Sequence, residues 1–200
     1  MISRHSRIKT ISIILFVAIA VSFCAPKNFL VVNYQPPAQP EILSEPSVSL
    51  VIKDSREDPA FATRTAKKVL KDFQGNFVLY KNNELMGAFS LQSLIREIFK
   101  HRLENAGLHV AAEEESRDLV LEIVLKTFKL DFVERKWIVD MTYQANLLKQ
   151  DRFVGGETIT GSAERLRVAG NKDAEKLIGE LITDVVNRLN LPALFKSNQI

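Results

Sequence analysis

One thiol and three imidazoles, Cys24, His5, His101 and His109, carry most of the nucleophilic and soft-ligand capacity of this 200-residue chain. Cys24 and His5 belong to the N-terminal leader region, and the sequence contains no Gly-x-Ser-x-Gly elbow. A thiol or serine nucleophile with a histidine partner therefore has little support. His101 has Glu97 four residues before it and Glu104 three after, a spacing that brings imidazole and carboxylates together on a helix. A metal needs three or four convergent ligands, so the trio reads as charge pairs on a solvated helix face. Gly155-Gly156 and Gly161 lie within a β-type pattern, not between a strand and a helix N-terminus. They fit a bulge or edge strand better than a phosphate cradle. Glu113-Glu114-Glu115 lacks the alternating ligands of a calcium loop and reads as a solvated loop. These positions give no catalytic set, no metal site and no cofactor, and the chain is expected not to be an enzyme.

Two features keep a capacity for binding. Asp54 and Arg56 end a short apolar alternation, where Arg56 can clamp a neighbouring carboxylate or meet a partner, the clamp being the simpler reading. Farther on, Lys126, Lys129, Arg135 and Lys136 stand among acidic residues on a strand-rich stretch. They could form a face for lipid headgroups or a partner, although mixed charge is ordinary on an exposed sheet.

The elements that must carry these residues begin behind a leader. Arg4, Arg7 and Lys9 precede an apolar run of 13 residues, Ile11 to Phe23. That is too short for a spanning helix, which needs about 20, but it suits the h-region of an export signal. Residues 1–23 hold no acid, so they carry all of the net charge of +3. The remainder is neutral, and nucleic-acid binding has no electrostatic basis. With one cysteine in an exported chain, no intramolecular disulfide can form and the fold must rest on its core.

Cys24 has three readings: a small core hydrophobe, a residue of a discarded signal peptide, or a lipid acceptor. Its position, between the apolar run and a proline-rich stretch, favours the last. Val21-Ser22-Phe23-Cys24 resembles the lipobox of bacterial lipoproteins, departing from it at Phe23, where a small residue is usual. The resemblance implies covalent diacylglycerol and an N-acyl chain on Cys24. Ala25, in place of the aspartate that retains such proteins at the inner membrane, implies an outer-membrane address facing the periplasm.

Five prolines between residues 26 and 46 mark residues 24–46 as a tether. Within it, Phe29 to Tyr34 is apolar enough for a short edge strand. Residues 47–200 form one expected domain. Val48, Leu50 and Ile52 alternate as a strand; residues up to Gly75 are poorly patterned; Phe77 to Tyr80 form another strand. Ser90 caps a helix with apolar residues from Leu91 to Ala106, closed by Gly107. The period then falls to two. Leu119, Leu121, Ile123 and Leu125 share a face, but Phe128, Leu130 and Phe132 take the opposite phase, which implies a bulge near Lys126. Two further strands follow the short links VERK and KQDR, giving an antiparallel meander, and Asn171 caps a second helix ending before Pro192. The expected class is α+β: an antiparallel sheet, made of the C-terminal three-strand meander plus N-terminal strands, with two long helices packed on one face.

The short first strand with Asp54-Ser55-Arg56, the helix SLQSLIREIFKHRLENAGLHV, the strand LVLEIVLKTFKLDF and the C-terminal AEKLIGELITDVVNRL together resemble the YajG-type family of bacterial lipoproteins. A looser similarity links the chain to envelope lipoproteins that assist lipopolysaccharide assembly or lipid transport. The resemblance implies a lipid-anchored, non-catalytic binding or assembly module, or alternatively an accessory subunit of such a machine. Its implied partners are the membrane and envelope proteins or lipids. It carries over no catalytic residues and fixes no oligomeric state.

Overall fold

The computed structural model describes residues 29–39, 47–71, 73–111 and 118–196. Cys24, the leader and the acidic run at 113–115 lie outside the described residues. In chain order the elements are β1 (Leu30–Tyr34), β2 (Ser47–Asp54), α1 (Arg64–Leu70), β3 (Asn76–Lys81), β4 (Glu84–Ser90), α2 (Leu91–Asn105), β5 (His109–Val110), β6 (Leu119–Val133), β7 (Lys136–Lys149), β8 (Arg152–Leu166), α3 (Asn171–Asn187) and α4 (Leu191–Lys196).

The expected meander is present: β6, β7 and β8 pair antiparallel. Its two links are tight because both central residues of each turn take positive φ, Glu134 and Arg135 at 48° and 65°, Gln150 and Asp151 at 49° and 61°. That is the conformation a two-residue hairpin requires. The phase slip is also real. The β6–β7 register shifts between Leu125 and Thr127, leaving Lys126 unopposed and returning Phe128 and Leu130 to the inner face.

The expectation of a purely antiparallel sheet is corrected. One sheet runs β5-β2-β6-β7-β8 and a second runs β1-β3-β4. β2 pairs parallel with both β5 and β6, and β1 pairs parallel with β3. Parallel neighbours need a long crossover, and the stretch between β2 and β6 holds α1, β3, β4, α2 and β5. Alternation in a strand reveals which face is buried but not which strand lies beside it.

Both long helices pack on the inner face of the five-stranded sheet, and Tyr143 of β7 touches each. Its ring meets Phe99 of α2 edge-on, with centroids 5.0 Å apart, and its hydroxyl donates to the Val185 carbonyl of α3 at 3.1 Å. Ser90 caps α2 as expected, its hydroxyl accepting from the Ser93 amide at 3.3 Å. Asn171 does not cap α3. Gly170 holds the cap position, and Asp173 reaches back to accept the amides of Val168 and Ala169 at 2.7 and 2.5 Å.

The two sheets are joined by a ring cluster that the poorly patterned stretch supplies. Phe61 stands 5.0 Å from Phe77 of β3 and 4.9 Å from Phe128 of β6, centroid to centroid. Edge-on pairs at this separation add stability beyond area burial. β1 enters the same core: Leu30, Val32 and Tyr34 are buried. Residues 30–34, expected as tether with an optional edge strand, therefore belong to the folded domain, which begins ahead of residue 47.

Candidate functional site

The Arg56 guanidinium donates from Nε and Nη2 to the two carboxylate oxygens of Asp54, both at 2.8 Å, and from Nη1 to the Phe128 carbonyl at 3.3 Å. The Arg56 side chain is 5% exposed. Those hydrogen bonds, foremost, hold the Asp54 carboxyl below the usual aspartate range. Asp54 and Arg56 thus clamp the end of β2 to β6, with three of the five guanidinium N–H donors engaged within the fold.

The four basic positions do not converge. Lys126 is exposed at the bulge. Lys129 pairs with Asp58 at 3.2 Å and Lys136 with Glu164 at 2.8 Å. Arg135 stands at the β6–β7 turn, roughly 25–30 Å from Lys126 along the strand. Only Arg135 and Lys136 are neighbours.

His101 does not lie on a solvated face; it is 7% exposed. Its Nδ1 stands 3.3 Å from Glu104 Oε2 and 3.5 Å from Lys81 Nζ of β3. Burial first, and then the Lys81 charge, push the imidazole below its ordinary value. The sequence gives the helical spacing but not the hairpin that covers it. No group of three metal-ligating side chains occurs among the described residues.

A site missed at the sequence level runs along the outer edge of β1, where a groove of about 700 Å³ is lined by that strand and α3 together. Strand and helix run parallel in step. The Val31 amide donates to Glu175 Oε1 at 3.2 Å and the Gln35 amide to Thr183 Oγ1 at 3.3 Å. Between them, the Asn33 backbone rests on Gly179, where an added Cβ would stand 3.0 Å from the Asn33 carbonyl oxygen. Burial raises the Glu175 carboxyl above its usual range, and the Val31 bond opposes it. Lys172 and Lys176 line one stretch of the groove, and Glu180 and Asp184 another. An edge strand is ordinarily open to pairing with a second chain; here the Val31 amide of the strand and the Gln35 amide just past its end are already taken by α3. The groove is open and amphipathic, and its lining includes the exposed ion pair of Lys176 and Glu180 at 3.9 Å. Its only sequence signal is Gly179 on an otherwise well-patterned helix.

Glycines 155 and 156 flank a register irregularity at Leu147–Leu148, as a bulge reading expects. Gly161 lets α3 approach β8, since a Cβ there would meet Val185 and stand 3.1 Å from Leu181.

The fold is thus a two-sheet α+β domain with two long helices on the larger sheet. It is shared with protein XCC0632 from Xanthomonas campestris, a crystal structure of the DUF330 family, at a TM-score of 0.53. The identity is 17%, over 84% of this chain and 97% of that one. A minor lipoprotein from Acinetobacter baumannii is 10% identical over 72% of this chain and 86% of its own, at a TM-score of 0.42. Lipoprotein GNA1162 from Neisseria meningitidis is 15% identical over 72% and 98%, at 0.32. These last two are too distant to define a common fold. No protein-family model matches the chain, and no curated protein matches it significantly. No helix among the described residues is long and apolar enough to cross a membrane.

Proposed function

We propose that the chain is a lipid-anchored lipoprotein of the cell envelope, of the YajG type, whose domain is a non-catalytic binding and assembly module on the periplasmic side of the outer membrane. The observation that carries this reading is the position of Cys24, at the end of an export-signal pattern and six residues ahead of the buried Leu30. A thiol there is joined to the folded domain by a link that can span at most about 20 Å. One acyl chain binds a bilayer only marginally, whereas two or more hold stably, so a diacylglyceryl thioether with an N-acyl chain would be an effective anchor.

Binding is favoured over catalysis because the polar partners of His101 within hydrogen-bond range are Lys81 and Glu104, and no hydroxyl or thiol nucleophile stands in hydrogen-bond contact with it among the described residues. Protein assembly is favoured over acyl-chain carriage because the helix–sheet interface is filled. Phe99, Tyr143, Ile178 and Val185 all have 0% exposure.

The test has two parts. Membranes from cells expressing the full chain should retain it, with Cys24 carrying the diacylglyceryl and N-acyl mass, and Cys24→Ser should release an unmodified form. Phe23→Gly should speed conversion of the diacylated precursor. A Cys24→Ser protein that stays membrane-bound without lipid mass refutes the anchor. Cross-linking of intact envelopes that recovers neither a defined protein nor a lipid refutes the binding role.

A further inference from the structure

The anchoring reading has a geometric consequence. Covalent geometry limits Cys24 to within about 20 Å of Leu30, so the end of the domain where β1 starts is the end held at the bilayer. That end can be identified. β1 runs parallel to α3, with Val31 bonded to Glu175, so β1 starts within about one turn of the α3 N-terminus. The loop before α3 closes on the same end, its Arg167 amide donating to the Arg135 carbonyl of the β6–β7 turn at 2.9 Å.

The surface there is unusual in composition. Val133, Lys136 and Leu166 form one cross-strand row on the outer face of the large sheet. Val133 and Leu166 are 45% and 59% exposed, and Val168 in the adjoining loop is 87% exposed. Interleaved with them are Arg135, Arg167 and Lys172, and the acids beside them are Glu134 in the same turn and Glu164, which is paired with Lys136. Neither Arg135 nor Arg167 forms an ion pair with a described residue; Arg167 lies over the Phe132 ring at 5.9 Å. From Arg165 to Lys172 the sequence RLRVAGNK holds three cations and no acid, and of the three only Arg165 is paired, with Glu180 of α3, in a described ion pair. Exposed aliphatic side chains between cations are what a headgroup boundary accommodates, the apolar groups entering it and the cations meeting phosphates.

We infer that this end of the domain, the β6–β7 turn with the β8–α3 loop, is a second membrane contact that seats on an anionic phospholipid leaflet. It rests on the lipid anchor at Cys24 and adds to it a fixed orientation, with the long axis of the meander standing away from the bilayer. The tether alone allows the domain to tilt freely; the patch selects one pose. It also reassigns the basic face. Arg135 belongs to it and Lys136, whose ammonium is paired with Glu164, lies at its margin, whereas Lys126, far along the strand, and Lys129, paired with Asp58, stand away from it.

The test uses the full lipidated chain, in which the acylated Cys24 leaves an introduced cysteine as the only thiol. Val168→Cys and Phe153→Cys are labelled with an environment-sensitive dye and reconstituted into phosphatidylethanolamine–phosphatidylglycerol vesicles carrying nitroxide lipids. Phe153 is 65% exposed and lies by the opposite, β7–β8 end of the meander. The label at 168 should shift to the blue and be quenched several-fold more than that at 153. Arg135→Glu with Arg167→Glu, or vesicles of phosphatidylcholine alone, should abolish the difference while the protein stays vesicle-bound. Equal quenching at both sites on a lipidated, bound protein overturns the patch and leaves the anchor standing. A chain without lipid mass on Cys24 overturns both.

Discussion

Burial, and after it the Lys81 ammonium 3.5 Å from Nδ1, hold His101 below the ordinary imidazole value of 6.5, while Glu104 and Glu97 pull the other way without reversing the direction. The unfolded chain therefore takes up a proton at this position at higher pH than the folded one. Where the unfolded state binds more protons, stability rises with pH. The expected result is an unfolding free energy that is highest above pH 6.5 and declines as the pH falls through the lowered folded value. Urea melts from about pH 7.5 to 5.5 should record this decline, and His101→Gln should flatten it. A variant whose curve keeps the wild-type slope would assign the dependence to another group. The site was only half legible at this scale. The spacing of Glu97, His101 and Glu104 is plain in the sequence. Their cover comes from β3, whose placement over α2 depends on packing between segments that no local pattern encodes.

The docking of β1 on α3 depends on a match of rises between two elements. Two strand residues advance about 6.6 Å and four helix residues about 6.0 Å, so the contacts at Val31–Glu175, Asn33–Gly179 and Gln35–Thr183 stay in step along the whole strand. Gly179→Ala tests it with two opposed effects. In an exposed helix the change would stabilise by about 1 kcal/mol. Here the new Cβ would stand 3.0 Å from the Asn33 carbonyl oxygen and 3.2 Å from its amide nitrogen. Backbone atoms cannot swing aside as a flexible side chain can, so a net loss of about 1–3 kcal/mol is expected in denaturant melts. Stabilisation instead would mean that β1 and α3 are not in tight contact. The meander offers a gain in the other direction. Asp151 holds a φ of 61°, and Asp151→Gly should raise stability by up to about 1 kcal/mol without changing register. Local pattern made this element readable: short links, alternation and the phase slip at Lys126 each have a local cause. α1 and the parallel partners of β2 escaped because they depend on long-range pairing. Phe61 and Phe73, scattered in an unpatterned stretch, bury themselves only once Phe77 and Phe128 are brought beside them.

At the scale of the whole molecule, β1 is expected to fold as part of the cooperative unit and not as an appendage of the tether. Leu30, Val32 and Tyr34 are 2%, 0% and 0% exposed. Burying an aliphatic side chain of this size is worth about 1.5–3 kcal/mol, and the Tyr34 ring contributes comparably. Together the three supply roughly 5–9 kcal/mol as an upper estimate, against a net stability of about 5–15 kcal/mol for an ordinary domain. Their loss would also expose one edge of β3 and deprive Asn187 of the Tyr34 hydroxyl, bonded at 2.9 Å. A chain beginning at Val48 is therefore expected to lack a cooperative thermal transition and a structured near-ultraviolet dichroism spectrum, whereas one beginning at Phe29 should have both. The proline-rich composition around β1 argues for a tether, but composition averages over a segment, and the five-residue alternation inside it decides where the fold starts. If the chain beginning at Val48 melts cooperatively within a few degrees of the longer one, β1 is an appendage. The short link between Cys24 and the domain would then lengthen to more than 20 residues, and with it would go the restraint that holds the β6–β7 turn to the membrane. Cooperative folding of β1 with the rest is thus what turns a lipid on Cys24 from a leash into a hinge.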